Sequence, residues 1–338
     1  MVRVLDDKSI SLKNELTGQS ISKFNKNIHY TLNYNREKSF ETFRKIYFFL
    51  LEESGKKISK EELEIAAVTG LMDSLDTYSK YMDADSFNKS MRDTEGKYGG
   101  LGMVITMKDK DLYVVKTITN SPAQRAGILP DDIFKKVNGV TVEKTQISEL
   151  ANKLRGQPGS QVNLTLYRPS EKKEYSYTLN REVILVETVE YQTLKNNVGS
   201  IKITSFSRQT NDQLKEALTK AKEDKIKGFI LDLRDNPGGL LDQSVKTASH
   251  FLYRDRLVVY TQGREQTDRK EYRSKYRNSL HLMPVVILIN QYSASAAEIV
   301  AGALRDSGKA LIVGENSYGK GTVQTIFRTS NGSGIRLT

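Results

Sequence analysis

The chain has 338 residues, a formal charge of +11, no cysteine and three histidines. That length allows two or three domains with a sizeable core, and the lack of cysteine excludes disulfides, thiol catalysis and zinc–thiolate sites together. Lys and Arg are dispersed among Asp and Glu with no basic tract, which speaks for a solvated surface and against nucleic acid, while peripheral attraction to anionic membranes or acidic substrates stays open. No run approaches the ~20 apolar residues that cross a bilayer.

Residues 1–38 are polar, asparagine-rich and without a clear period, and read as a loosely held leader. Phe40, Phe43, Ile46, Tyr47 and Leu50 mark an amphipathic helix. The apolar cluster at 47–51 is too short and too far in for a signal peptide. A second helix opens at Ser59 with Glu62 completing a capping box, and its apolar positions Leu63, Ala66, Ala67, Leu71 and Leu75 predict the buried face. The segment Leu75-Asp-Thr-Tyr-Ser-Lys-Tyr-Met82 follows, for which packing is an adequate reading.

From about Gly96 to Arg181 the pattern changes to short strands, with a hairpin turn at Asn138-Gly139 and a helix over 147–154. The run Tyr98, Gly99, Gly100, Leu101, Gly102, Met103 can present successive backbone N–H groups to an anion, because glycine permits the dihedrals and the close approach; alone, such a run also makes a plain turn. Arg155 ends the helix, where the dipole favours a cation and a carboxylate could pair with it.

After Arg181 strands and helices alternate. A strand over 198–206 leads to a helix that Thr210 and Gln213 are read as capping; a buried strand over 229–233 runs into Asn236-Pro-Gly-Gly239 and a helix over 241–252. Such units imply right-handed crossovers and a largely parallel sheet, with functional loops beyond the strand C-termini. The apolar run 285–289 predicts a further buried strand, turning through small residues into a helix that carries Glu298, Ile299, Val300, Ala303 and Leu304.

That turn places Ser293 or Ser295 beside the first free N–H groups of a helix, which suit a developing oxyanion. A glycine-flanked lysine, Lys320, comes one strand later, so the spacing suggests a serine–lysine nucleophile pair. Three rivals exist. A serine before a helix also serves as a plain N-cap. Gly314 to Lys320 fits the phosphate loop pattern, but Gly321 stands where Ser or Thr would bind magnesium, and residues 322–327 alternate like a strand. His281, 14 residues before Ser295, is an alternative base that the intervening strand would carry to the opposite end; His29 and His250 are too scattered to join it in a metal cluster.

The runs Asn290 to Glu298 and Gly319 to Gln324 resemble the Asn-x-x-(Ser/Thr)-Ala-Ser-Ala-(Ser/Ala)-Glu and Gly-Lys-Gly-x-x-Gln motifs of the carboxyl-terminal processing proteases, the PDZ-containing S41 serine peptidases. The resemblance extends from about Phe40, with Leu75 to Met82 similar to that family's Leu-Asp-Pro-(His/Tyr)-Ser-x-Tyr segment and Thr77 in the proline position. It implies Ser295 as nucleophile, Lys320 as general base, Gln324 orienting the lysine, and the N–H groups of Gly239 and Ala296 as oxyanion hole. It also implies that Tyr98 to Met103 form a PDZ carboxylate-binding loop, with Arg155 as a sensor of the bound peptide.

The expected fold is α/β: a mixed, largely parallel-sheet protease core of the crotonase/ClpP-like type (183–338), an inserted β-rich PDZ domain with two helices (96–182), an N-terminal helical segment packing on the core (39–95) and the leader. Members of this family usually continue beyond the equivalent of Thr338, so a shortened C-terminus is expected. By the same resemblance the partners are proteins with exposed apolar C-termini, no cofactor or metal is required, and the location is the periplasm or cell envelope. A non-catalytic PDZ scaffold and a nucleotide binder are the alternatives.

Overall fold

The computed structural model describes residues 2–4, 10–13, 20–24, 36–54, 58–142, 145–277 and 280–338. They form two compact units, one of residues up to Asp83 together with Gln324–Thr338, the other of Ala84–Val323.

The first unit begins with three short antiparallel strands within the stretch read as a leader, β1 (Val2–Val4), β2 (Ile10–Lys13) and β3 (Ser20–Phe24). Helices α1 (Arg36–Ser54) and α2 (Lys60–Asp73) follow. The capping box forms as read: Glu62 N–H donates to Ser59 Oγ at 3.1 Å, and Ser59 N–H to Glu62 Oε2 at 2.9 Å. The helix faces differ from those expected. Leu50 and Leu63 are buried with Ile46 and Tyr47 against them, whereas Phe40, Phe43, Leu71 and Leu75 are exposed. The buried positions of α2, Leu63 and Met72, lie half a turn apart around the axis at about 100° per residue, so the helix has no single apolar face for a periodicity argument to find. Strand β4 (Lys80–Met82) follows.

The second unit opens with α3 (Ala84–Glu95) and β5 (Lys97–Gly100). Then come β6 (Met103–Lys108), β7 (Asp111–Thr117), the short α4 (Pro122–Arg125), β8 (Ile133–Val137), β9 (Val140–Thr141), α5 (Ile147–Leu154), β10 (Gln161–Arg168) and β11 (Lys173–Asn180). They make an antiparallel sheet of order β11-β10-β8-β7-β6, with β9 on β8, so β6 lies at an open edge. Its core gathers Leu112, Val114, Phe134, Leu150, Leu164 and Leu166, and each side chain of this kind contributes about 1.5–3 kcal/mol on full burial. Strand β12 (Glu182–Leu185) pairs antiparallel with β5.

The rest of this unit is built on a five-stranded sheet of order β13-β14-β15-β18-β19. In chain order its elements are β13 (Val189–Leu194), β14 (Val198–Ile203), α6 (Thr210–Glu223), β15 (Gly228–Asp232), α7 (Leu241–Ser249), the hairpin β16 (Leu257–Thr261) and β17 (Lys270–Arg273), β18 (Val285–Ile289), α8 (Ala296–Asp306) and β19 (Ala310–Gly314). Pairing is parallel from β14 to β19 and antiparallel between β13 and β14. Among the described residues the other sheets are antiparallel, so the sheets taken together are largely antiparallel and not largely parallel.

Phe206, Leu214, Leu231, Phe251, Ile287 and Val300 belong to one buried cluster between the sheet and its helices. The cap expected from Thr210 and Gln213 does not form. Gln213 Oε1 instead accepts from the Thr188 and Val189 N–H groups, and this long-range pairing takes the side chain away from its own helix end.

Two last strands, β20 (Thr325–Arg328) and β21 (Gly334–Leu337), return to the first unit, where the order is β20-β21-β4, antiparallel throughout. Among the described residues no helix is long and apolar enough to cross a membrane.

Candidate active site

Strand β18 ends at Ile289, and the next six residues reverse the chain into α8. Ser293 is fully buried there, accepting from Asn290 N–H at 3.0 Å and donating to the Leu233 carbonyl at 2.7 Å. Its hydroxyl stitches the turn to the end of β15. Ser295 is half-buried and has φ 54° and ψ −112°, a region that L-residues avoid. Such a backbone costs about 1–3 kcal/mol and persists only where its surroundings over-determine it.

Those surroundings are specific. The Ser295 N–H donates to Glu298 Oε2 at 2.6 Å, the Ser295 carbonyl accepts from Ile299 N–H, and Ala294 N–H is held by the Asn236 carbonyl. The Glu298 carboxylate also accepts from Ser317 Oγ at 2.7 Å, Gly319 N–H at 2.7 Å and Lys320 N–H at 3.0 Å. One carboxylate therefore binds the backbone of Ser295 and the backbone of Lys320, two positions 25 residues apart in sequence. Bonds from N–H to a charged acceptor are the stronger kind, of order 1.5–3 kcal/mol each. Tyr318 N–H adds a bond to the Ser293 carbonyl, so the lysine-bearing loop docks on the serine-bearing turn at several points.

The same geometry removes the nucleotide reading. The Gly319 and Lys320 amides that a phosphate would need are taken by Glu298, and the chain after Lys320 enters strand β20 and not a helix.

The loop after β15 completes the constellation. Asn236 is buried, donating from Nδ2 to the Ile203 carbonyl and accepting at Oδ1 from Gly238 N–H. Gly238 and Gly239 have φ of 100° and 140°, open only to glycine in practice. A Cβ on Gly238 would lie 2.8 Å from Ser295 Cβ and 2.9 Å from Ala296 N, so this loop lies directly against the serine turn. Phe206 N–H donates to the Gly238 carbonyl and Leu240 N–H to the Phe206 carbonyl. The N–H groups of Gly239 and Ala296 donate to no protein acceptor among the described residues. Two unspent N–H donors at a helix start beside a strained serine can stabilise negative charge on a substrate oxygen.

Gln324 lies in the first unit, where its amide nitrogen donates to the Tyr78 carbonyl at 3.0 Å and more weakly to Thr338 Oγ1 at 3.4 Å. His29 and the side chain of His281 are outside the described residues. His250 is buried in the core, 3.1 Å from Asn211 Oδ1, and burial lowers its pKa to about 4, with the Lys215 charge adding to the effect.

The glycine run 98–103 links β5 to β6 and faces a groove of about 300 Å³ between β6 and α5, lined by Met103, Ile105, Ile147, Ala151 and Leu154. Ala123 N–H holds the Leu101 carbonyl, and Ile118 N–H holds the Gly102 carbonyl. The Leu101 and Gly102 N–H groups have no protein acceptor among the described residues. A free β6 edge, an apolar helix face and spare amides at one end are the parts needed to bind an extended peptide by its C-terminus. Gly99 packs so tightly on Gly156 that a Cβ would stand 2.0 Å from its carbonyl oxygen. Arg155 lies over the Tyr98 ring at 5.3 Å, and both border the groove.

The sequence pointed to Ser295 and Lys320 and, through the family resemblance, to Gly239 and Ala296, but gave no role to Glu298 or Asn236. An acid three residues after the serine reads as an ordinary first-turn carboxylate, and its bonds to 317–320 leave no local trace.

Comparison with known proteins assigns the groove helix α5 and the serine turn to two different family models. Residues 197–338 match the model of peptidase family S41, and residues 113–168 match a PDZ domain model. A carboxy-terminal-processing protease of Bartonella bacilliformis is 39% identical over 277 residues, 80% of this chain and 63% of its own. A protein of Staphylococcus aureus named "Probable CtpA-like serine protease" is 35% identical over 308 residues, 91% of this chain and 62% of its own. Among solved structures, the photosystem II D1 C-terminal processing protease aligns over 86% of this chain and 80% of its own at 27% identity, with a TM-score of 0.46. The chain thus spans a little over three fifths of the length of those curated relatives. On the two domain matches and the sequence relatives together, the chain belongs to peptidase family S41 and carries a PDZ domain.

Proposed function

We propose that this chain is a serine endopeptidase that captures protein C-termini in its PDZ groove and cleaves with a Ser295–Lys320 dyad. The observation that carries the reading is Glu298, whose carboxylate fixes the backbones of serine and lysine together while two unspent amides flank the serine.

Ser295 Oγ attacks the scissile carbonyl carbon as its proton passes to the neutral amine of Lys320. The resulting oxyanion is held by the Gly239 and Ala296 N–H groups, a reading supported by their having no protein acceptor among the described residues. Collapse expels the amine, which takes its proton from Lys320, and water then hydrolyses the acyl-enzyme with the lysine again as base. Gln324, four residues along the chain, orients the lysine. Substrates are proteins with exposed apolar C-termini, since Met103, Ile105, Ile147 and Leu154 offer an apolar lining to the peptide side chain and the Leu101 and Gly102 amides suit its carboxylate. Arg155 can leave Tyr98 to meet that carboxylate. The parallel β14 to β19 core, with its functional loops after β15 and β18, fits a crotonase/ClpP-like protease core, and the site of action is the periplasm or cell envelope.

A fluorophosphonate probe tests the reading. Labelling at Ser295, mapped by mass spectrometry, together with cleavage of a tagged protein ending in apolar residues, is the expected outcome. A chain that binds such tails yet is neither labelled nor able to cleave them is a PDZ scaffold.

A further inference from the structure

The segment Leu75 to Met82 received no chemistry from its sequence, yet its first acid is among the most heavily bonded carboxylates of the first unit. Asp76 Oδ1 accepts from Tyr78 N–H at 2.7 Å, Ser79 N–H at 2.8 Å and Thr338 Oγ1 at 3.0 Å, and Oδ2 accepts from Ser79 Oγ at 2.5 Å. Ser79 is buried, and its hydroxyl in turn accepts from Thr338 N–H at 3.1 Å. The Ser79 hydroxyl foremost, then the neighbouring N–H groups and Thr338, hold the Asp76 carboxyl down to about 2, against the opposing effect of burial.

Two of these bonds reach Gln324 by simple geometry. In a trans peptide the C=O and the following N–H point in opposite directions. Anchoring the Ser79 N–H on Asp76 therefore turns the Tyr78 carbonyl the other way, where it accepts from Gln324 Nε2. The Thr338 hydroxyl spends its proton on Asp76, so only its lone pairs face Gln324, and Gln324 Nε2 donates there as well. Both acceptors demand the nitrogen side of the amide, which fixes the direction of the oxygen.

We infer that the Asp76 turn is a positioning device for Gln324: through the Tyr78 carbonyl and the Thr338 hydroxyl it sets which face of the glutamine amide is presented to the reaction. The catalytic consequence rests on the reading of Gln324 as the group that orients Lys320. The pairing of β4 with β21, and of β21 with β20, is what brings residues 76–79 to residues 324 and 338.

The test compares the full chain with Asp76→Asn, Thr338→Val, Gln324→Ala and the double variant Asp76→Asn/Gln324→Ala. In Asp76→Asn an amide N–H₂ replaces one carboxylate oxygen among donors; Thr338→Val removes only an exposed hydroxyl and keeps the sheet. Cleavage of the tagged apolar-tailed protein is followed for kcat and KM, and hydrogen exchange of the Gln324 side-chain amide by NMR. The expected result is a fall in kcat of up to about 10²-fold for Asp76→Asn, as for a catalytic group misplaced by an ångström, with KM little changed. The smaller loss in Thr338→Val has the same form, and Gln324 amide protons exchange faster in both. Asp76→Asn should add little on top of Gln324→Ala, because both act through one side chain. Losses that multiply in the double variant, or Gln324 exchange that is unchanged in both single variants, overturn the inference. Full activity of Gln324→Ala instead overturns the role of Gln324 on Lys320, and the exchange measurement still decides whether Asp76 positions the amide.

Discussion

The two sites of the second unit are built in opposite ways. The PDZ groove is an open strand edge beside an apolar helix face, with spare amides at one end and an arginine resting on a tyrosine ring at its border. The serine site is held fixed: Ser295 keeps a strained positive φ, Gly238 and Gly239 take positive φ that glycine adopts without strain, and buried Asn236 and the Glu298 carboxylate hold the two loops. Recognition of varied tails tolerates adjustment of side chains, and such a groove needs few fixed atoms. Stabilising an oxyanion requires donors already in place when charge develops. The contrast predicts that changes at the serine site alter rate and leave tail affinity alone, while changes in the groove do the reverse.

The sharpest way to break that contrast is at the dyad. Ser295→Ala and Lys320→Ala should each lower cleavage by more than about 10³-fold, with the affinity for an apolar-tailed peptide unchanged by fluorescence anisotropy. Because an amine is a base only when neutral, the parent's rate should rise with pH through the titration of that lysine, and Lys320→Arg should be inactive at any pH. Next comes Gly238→Ala, whose Cβ meets Ser295 and Ala296 at under 3 Å on a backbone that disfavours it. Displacing one oxyanion donor should cost about 10²–10³-fold in kcat, again without effect on tail binding.

Acid separates the regions by stability. His250 in the core keeps a neutral ring with its pKa near 4, whereas an unfolded histidine titrates near 6.5, and residues 96–182 contain no histidine. The unfolded chain binds the extra proton between these values. The stability His250 contributes is therefore complete above about pH 6.5 and lost as pH falls towards 4, on the order of 3 kcal/mol in all. Hydrogen exchange, corrected for intrinsic rates, should show β14 and β15 losing protection from this source over that window while β7 and β10 do not, and His250→Gln should flatten the slope. The smallest expected effect belongs to the groove. Amidating the peptide tail should weaken binding by about 1.5–3 kcal/mol through the loss of charge-assisted bonds to the Leu101 and Gly102 amides, and fluorophosphonate labelling of Ser295 should not change. Equal affinity for acid and amide tails would place the carboxylate elsewhere.

The parts of this design that sequence revealed are those set by local steric demands. The paired glycine after β15 and Gly319 before the lysine occupy positive φ, so the backbone accounts for those residue choices; Ser295 was legible only as a serine at a turn into a helix, since its backbone disfavours any L-residue. The faces of α1 and α2 were not legible, because apolar residues lie on more than one side of each helix and only packing decides which are covered. The bonds of Gln213 to residues 188 and 189, and of Glu298 to residues 317–320, join distant segments; a carboxylate that caps its own helix and one that ties two loops together look alike in a string of letters.

The dihedrals of Ser295 bear on how this chain fares once catalysis is no longer required of it. Glycine adopts φ 54°, ψ −112° at no steric cost, so Ser295→Gly should abolish cleavage yet melt higher than the parent, with about 1–3 kcal/mol of strain released less the backbone entropy glycine adds to the unfolded chain. Ser295→Ala keeps the strain and should melt near the parent. If Ser295 is the nucleophile of the proposed dyad, it sits where stability and activity pull apart: a copy of this chain without the hydroxyl has a downhill route to a sturdier fold at that residue.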